Sequence, residues 1–311
     1  MPAEPHAPAA ALPGLLCAAT GAALLASKGI FAKLLYAEGL DFVTVTAVRA
    51  MLALPVFWAW ALYAAQPLTL WRQQRRAVWA AVAAGLAGYY LGALINFYAL
   101  TLISASLERV LLFSYPALVL LARFLLYGTR PTTAALVASA MTWLGVLLAV
   151  GGWDMALVSR NAVGAAGVLI CAAALAGYFL VNERVAPALG SVGFTLYAMT
   201  AAAVGLSVHW WLTVPVTELA FSGRAWLLLV ALVLCATVLP LFLVAEGVRR
   251  IGAHRAAVVT TVGPPTTILL AWWLLDETLV VAQLAGALLI VAGIVLLETR
   301  RRTLPSPSAA Q

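Results

Sequence analysis

Five ionisable side chains stand inside otherwise apolar runs of the sequence: Lys28, Lys33, Arg49, Glu108 and Arg109. A charge in such surroundings is costly unless it faces a cavity or a partner, so each is a candidate for chemistry. Arg49 offers a planar fork that can grip a carboxylate or phosphate through two parallel bonds. With a lysine at 28 or 33 it could hold the acidic group of an anionic or zwitterionic small molecule. Other readings compete. Arg49 could form a structural ion pair with Glu108. Lys33 and Arg109 stand near segment ends, where long side chains can snorkel to a polar interface. Glu108 also suits the first turn of a helix, at the positive end of its dipole. Tyr89, Tyr90, Asn96, Tyr98, Tyr178, Asn182 and Tyr197 could line the same cavity, although each also suits packing or an interface. The expected binding set is Lys28, Lys33, Arg49, Tyr90, Asn96, Glu108, Tyr178 and Tyr197.

Several other chemistries leave no trace. No HExxH, GxSxG or Cys/His cluster occurs, so the spacings that place a metal or an activated nucleophile are missing. No Walker P-loop is found either, which argues against ATP hydrolysis by this chain. Neither a cofactor nor a metal is expected. Cys17, Cys171 and Cys235 fall within apolar runs and read as small core residues, without a disulfide framework. The net charge of +7 is spread between apolar segments and not gathered into a stripe with aromatics, so nucleic acid is not an expected partner. If a proton drives the chemistry, a group must titrate near neutrality; the candidates are Glu108, His209 and His254.

The elements that carry these residues must live in lipid. Hydrophobic residues make up 65% of the 311 and charged residues 9%, with a mean hydropathy of +1.03. Soluble domains carry about 25% charged residues. A bilayer core takes about 20 mostly apolar helical residues per crossing. Stretches of that size predict helices over 12–36, 42–65, 77–99, 104–127, 132–151, 161–181, 191–213, 225–245, 254–275 and 279–298. Breaker residues such as Gly39 with Asp41, Gly151 with Gly152, and Pro187 with Gly190 mark the connections. Residues 1–11 hold no Lys or Arg, so the basic region of a secretory signal is missing. Residues 1–11 and 300–311, rich in Pro, Ala and Ser, read as disordered tails.

Basic residues give the orientation. With the N-terminus cytoplasmic, inner connections and the tail take Arg72, Arg75, Arg76, Arg249, Arg250 and Arg300 among others, while outer connections hold only Arg160 and Arg224. Both termini are therefore expected in the cytoplasm, in a bacterial-type inner membrane. On that frame, at about 1.5 Å of rise per residue, Lys28 and Arg49 lie roughly 10 to 12 Å below the outer surface. Trp210, Trp211, Trp272 and Trp273 fall near outer helix ends, as an interfacial belt does. Gly88 and Gly92 have the GxxxG spacing of a close helix contact.

An internal repeat is the most specific signal. Ile103-Ser104-Ala105, Pro116, Leu136 and Gly145 reappear as Ile251-Gly252-Ala253, Pro264, Leu284 and Gly293, at one constant step (264 − 116 = 148). That step contains five predicted crossings, an odd number, so the second copy must enter the membrane from the opposite side. The expected fold is all-α, an integral membrane protein of ten transmembrane helices in a 5+5 inverted-topology repeat. Residues 12–151 form the first copy, 152–160 a linker and 161–299 the second. Inverted repeats typify secondary transporters, with solute bound near the midplane between halves. Pro116 and the Pro264-Pro265 pair occupy equivalent places inside apolar spans, where each removes a backbone bond. They are the expected gating positions; a packing kink is the other reading.

At these residues the chain resembles the EamA branch of the drug/metabolite transporter superfamily. The resemblance is clearest in Tyr98-Ala99-Leu100-Thr101-Leu102-Ile103-Ser104-Ala105-Ser106 through Pro116 to Gly145. It returns from Gly247 through Ala253, Pro264 and Asp276-Glu277-Thr278 to Gly293. Ser27, Lys33 and Arg49 are similar to the family's first-helix Ser and Lys and second-helix Arg. Two departures stand out: Thr129 replaces, in the first copy, the acid that Glu277 supplies in the second, and Leu25-Ala26 replaces a Trp-Gly pair. The resemblance implies a gradient-driven carrier, expected as an exporter, of a metabolite, amino-acid-like or drug-like solute. A nucleotide-sugar or organic-phosphate exchanger is the alternative, and an intramembrane enzyme, receptor or scaffold the different class. The expected partners are a small solute, the bilayer and a coupling proton, with the chain a monomer or weak homodimer.

Overall fold

The computed structural model describes residues 8–63, 74–129, 131–215, 221–278 and 280–300, without the side chains of 8–11, 253, 254, 257 and 297–300. Among the described residues there is no strand, and eight helices are long and apolar enough to cross a membrane. They are α1 (Leu12–Ala37), α2 (Phe42–Tyr63), α3 (Arg75–Leu102), α4 (Ala105–Tyr127), α5 (Thr133–Val150), α6 (Met155–Thr213), α7 (Gly223–Ile251) and α8, apolar over Val258–Leu275. The segment preceding α8's apolar run is helical from Ala253, and a shorter apolar helix, α9 (Val281–Arg300), completes the order.

Local chemistry explains where the helices start. Asp41 accepts bonds from the backbone N–H groups of Val43 and Thr44, and Asp154 from those of Ala156 and Leu157. Thr132 and Ser222 cap α5 and α7 in the same way, through Ala135 and Ala225. Each side-chain oxygen satisfies a donor that a helix start leaves orphaned.

The long α6 differs from the expected pair of helices. It begins at Met155, so residues 155–160 of the expected linker are helical, and it runs on through Pro187. Only Gly190, at φ 70° and ψ 158°, leaves helical geometry, dividing α6 into arms 155–189 and 191–213. Pro187 is exposed, shortly after Glu183 and Arg184, and removes one backbone bond without ending the helix. The tail residues 8–11 are likewise helical, within the segment Pro8–Ala26.

Element bounds recur at the step of the sequence repeat. In α4, segments Ala105–Leu112 and Tyr115–Tyr127 are followed by Gly128 in left-handed conformation. In α8, Ala253–Thr260 and Gly263–Leu275 are followed by Asp276 in the same conformation (253 − 105 = 148). The wide π-turns Leu86–Leu91 in α3 and Leu234–Val238 in α7 begin at the same step. The prolines therefore sit differently from expectation. Pro116 and Pro264 lie in the first turn of a new helical segment, just after a break, where the missing N–H has no partner to lose.

Helices α5 and α9 meet along a seam of small residues with reciprocal contacts. A Cβ at Gly145 would stand 2.7 Å from the Gly286 carbonyl oxygen and 2.6 Å from the Ile290 side chain. One at Gly293 would meet the Ala138 carbonyl oxygen at 2.8 Å and the Thr142 hydroxyl at 3.2 Å. Ala138 and Thr142 are the repeat partners of Gly286 and Ile290, so each copy presents the same patch to the other, as across a two-fold axis. Two apolar clusters span the copies: Ile30, Leu35, Val45, Phe97 and Leu100 with Leu229 and Leu232, and Ile103, Leu107 and Leu111 with Ile268 and Ile290. Outside, large apolar side chains such as Leu125, Leu227, Leu288 and Trp211 are exposed. Water disfavours that area and lipid accepts it.

Candidate functional site

The site starts from a break in α1. Ser27 turns the chain between Pro8–Ala26 and Lys28–Ala37, its hydroxyl donating to the Leu24 carbonyl at 2.6 Å. The break makes carbonyls of the preceding turn available. Arg109 from α4 donates through Nη2 to the Leu25 carbonyl, and Thr267 from α8 donates to that of Ala26 at 2.9 Å. Arg109 Nε also donates to the Thr267 hydroxyl at 3.3 Å. Arg109 is therefore buried, with 6% of its surface exposed, and does not snorkel as its place near a helix end suggested.

Lys28, the first residue after the break, points into a polar triad. Its ammonium donates to Asn96 Oδ1 at 2.6 Å and to Glu108 Oε1 at 3.1 Å, and Asn96 Nδ2 donates to the same Oε1 at 2.7 Å. Asn96 and Glu108 are buried, the latter at 1% exposure. A carboxylate so deep needs its partners, and the triad supplies both a charge and a neutral donor.

Arg49 lies beside this triad and outside it. Its guanidinium carbon stands 5.1 Å from the centroid of the Phe97 ring, and Lys28 Nζ is 5.5 Å from the same ring. Phe97 is fixed in turn, its carbonyl accepting from the Tyr36 hydroxyl at 2.8 Å. The ring face attracts both cations. Arg49 Nε is buried without a hydrogen-bond partner, and among the described residues no carboxylate pairs with Arg49. Of the two readings of Arg49, the ion pair with Glu108 is not formed, and Lys28 pairs with Glu108 instead. The residue next to Asn96, Phe97, is the site member that charge and polarity in the sequence could not indicate.

The remaining expected residues lie elsewhere. Tyr90 pairs its hydroxyl with His209 Nδ1 at 3.1 Å, among apolar residues of α2 and α6. Tyr178 is buried in an aromatic group with Tyr89, at 4.8 Å between ring centroids, and with Phe194. Tyr197 packs on the edge of that cluster. Lys33 is half-buried and near enough to Glu277 for their charges to attract. His254 lies outside the described side chains. Close contact is what the Gly88 spacing provides, since a Cβ there would approach the Tyr178 Cβ to 3.2 Å. Among the described residues no group of His, Cys, Asp and Glu could hold a metal.

The polar machinery belongs to one copy. At the repeat step, Lys28, Asn96, Glu108 and Arg109 correspond to Ala176, Val244, Ala256 and Ala257. Arg49 corresponds to Tyr197. A lipid-facing bundle of long apolar helices enclosing a one-sided cluster of buried charge defines a multi-pass membrane protein. The chain belongs to the EamA-like transporter family, whose profile matches residues 12–151 and 162–299. It is 31% identical over 247 residues to the "Uncharacterized transporter YcbK" of Bacillus subtilis (strain 168), covering 77% of this chain and 78% of that protein. Its fold is similar to that of a solved crystal structure at a TM-score of 0.63, with 21% identity, 96% of this chain and 99% of the other covered. Family and relative point to a transporter handling a small solute, not to an enzyme.

Proposed function

We propose that this chain is a secondary transporter of small anionic or zwitterionic metabolites, amino-acid-like or drug-like, which it exports by alternating access between two inverted halves. The observation that carries the reading is Arg49: a partly buried cation in an apolar bundle, seated on Phe97, without a carboxylate partner among the described residues. Such a charge calls for an anion, and the guanidinium fork fits a carboxylate or phosphate. Protonation of Glu108 would release Lys28 to a second acidic group, which makes Glu108 the proton carrier of this reading.

Ten crossings in a 5+5 arrangement underlie it. At 1.5 Å per residue α6 would measure about 88 Å against a bilayer core of about 30 Å, so its arms at Gly190 count as two crossings. Helix α9 counts as the tenth, with halves at 12–151 and 161–299. The recurrent element bounds and the reciprocal α5–α9 seam support this arrangement. The paired breaks before Pro116 and before Pro264-Pro265 are its hinges, and both termini face the cytoplasm of a bacterial-type inner membrane.

Counterflow into proteoliposomes preloaded with amino acids, or separately with nucleotide sugars, tests the function. The expected result is exchange of an amino-acid-like solute, abolished by Arg49→Gln in protein that elutes as folded. Exchange of nucleotide sugars instead would move the assignment to the phosphate class. Unchanged exchange by Arg49→Gln would remove Arg49 from binding.

A further inference from the structure

Glu277 lies outside the cluster just described and makes a denser set of bonds than a loop residue needs. Its Oε1 accepts from the Ala105 backbone N–H at 2.7 Å, and its Oε2 from the Ser106 N–H at 3.2 Å and the Ser106 hydroxyl at 2.8 Å. A residue that follows α8, in the second copy, thereby caps the start of α4, in the first. The carboxylate meets the positive end of a helix there, through charge-assisted bonds. Lys33 of α1, also in the first copy, adds its attraction from nearby. The geometry is set by Asp276, whose left-handed backbone (φ 50°) ends α8 and turns the next side chain back across the bundle.

The equivalent place in the first copy is built alike as far as the backbone and then differs. Gly128, also left-handed at φ 64°, ends α4, and the next residue is Thr129, exposed and without charge. The helix start that Thr129 would serve, Ala253–Thr260, has Gly252 at its N-cap and no side-chain cap. The start of α4 has two, because Ser104 also accepts from the Leu107 N–H at 3.1 Å. Ser106, which donates its hydroxyl to Glu277, is matched by His254. One end of the bundle therefore has a carboxylate clasp joining the halves, and the equivalent residues at the other end lack both the acid and the cap.

We infer that Glu277 is a gate residue of the transport cycle: its clasp on Ala105 and Ser106 holds the outer end of the bundle shut, while the inner end, with Thr129 in the matching place, is tied among the described residues only by the solvent-exposed Arg123–Glu183 pair at 3.2 Å, a weaker hold. This inference rests on the inverted-repeat transport reading, which places residues 105 and 277 outside and 129 and 253 inside. Two matched gates of unequal strength give the carrier a preferred resting face, open to the cytoplasm. Solute arriving from inside then finds the site open, and outward opening becomes the step that must break bonds. A ligand or substitution shifts such an equilibrium only through its differential effect on the two states.

Spin-label distances in lipid nanodiscs test this without any solute. In a background with Cys17, Cys171 and Cys235 replaced by Ala, the pair Thr101→Cys and Thr278→Cys reports the outer end. The pair Leu126→Cys and Arg255→Cys reports the inner end. The parent protein is expected to show one narrow outer distance. Glu277→Gln weakens charge-assisted bonds and should raise the outward-open fraction about tenfold, with Glu277→Asp intermediate. Thr129→Glu, made alone, should move the inner pair toward shorter distances and raise the outward-open fraction seen by the outer pair, because alternating access couples the two ends. Outer distances unchanged in folded Glu277→Gln, or inner distances unchanged in folded Thr129→Glu, would overturn the assignment. If Glu277→Gln leaves distances unchanged while the parent exchanges solute, the clasp falls and transport stands. If the parent exchanges nothing while Glu277→Gln opens the outer end, the clasp stands and the transport reading falls.

Discussion

Removing Lys28 tests the energetics on which the site rests. Lys28 Nζ and Glu108 Oε1 are 3.1 Å apart, and at an effective dielectric constant of about 20 two unit charges at that distance attract by about 5 kcal/mol. Desolvation of both groups opposes this, so the pair contributes little net stability, whereas deleting one partner strands the other. Lys28→Met leaves the Glu108 carboxylate, 1% exposed, with the Asn96 amide as its remaining partner. That bond to a charged acceptor retains about 1.5 to 3 kcal/mol, against the 3 to 5 that losing a buried partner costs, so a destabilisation of about 3 kcal/mol is expected. Glu108→Gln should cost a similar amount, because the buried ammonium then has only neutral amide oxygens, at 96 and 108, and no counter-charge. The double variant Lys28→Met/Glu108→Gln leaves two neutral amides able to bond each other and should lose no more than about 2 kcal/mol, within the cost of a neutral buried bond. The coupling is then about 4 kcal/mol (3 + 3 − 2), well above the roughly 0.5 kcal/mol within which independent sites add. Reversible unfolding in mixed micelles, followed by helical circular dichroism, gives the four values. Single variants as stable as the parent, or losses that simply add, would refute the reasoning.

Two further substitutions probe the frame. Gly145→Ala places a methyl group 2.7 Å from the Gly286 carbonyl oxygen, and overpacking of this kind costs about 1 to 3 kcal/mol. Gly293→Ala should cost a comparable amount at the reciprocal contact, and the same unfolding assay would expose the seam as slack if neither did. Asp276→Gly relieves a side chain held in left-handed conformation and should stabilise the protein by about 1 kcal/mol. A lower unfolding midpoint for that variant would show that the Asp276 side chain does more than tolerate its backbone.

The sequence singled out the buried charges better than it showed their direction. Lys28, Asn96 and Glu108 were legible as candidates because polarity in an apolar run is conspicuous. Which of them touch depends on rotation about each helix axis, and the break at Ser27, which sets Lys28's bearing, carries no strong breaker residue. Arg109 was misplaced for a related reason. Nearness to a helix end suggests a path to water, but here the backbone at the α1 break offers acceptors closer than water does. Phe97 has no signal of its own, since an aromatic ring in a membrane helix is ordinary. The repeat register, by contrast, was readable from Ile103, Pro116 and Gly145, and the element bounds recur at the same step. The helix expected to end at 181 runs on through Pro187, and of the two expected connection residues Gly190 alone leaves helical geometry, since its φ of 70° suits a residue without a side chain.

The confinement of the Lys28, Arg49, Glu108 and Arg109 cluster to one copy has a consequence for how such a chain can exist at all. Were the first copy to pair with an identical, upside-down mate, two Lys28–Arg49–Arg109 sets would share one interior, each adding two unbalanced positive charges where lipid screens nothing. At the matching places in the second copy stand Ala176, Val244 and Ala256, none of them charged, so the interior holds a single such set. The two copies thus divide the labour: one carries charge and the other gives it room.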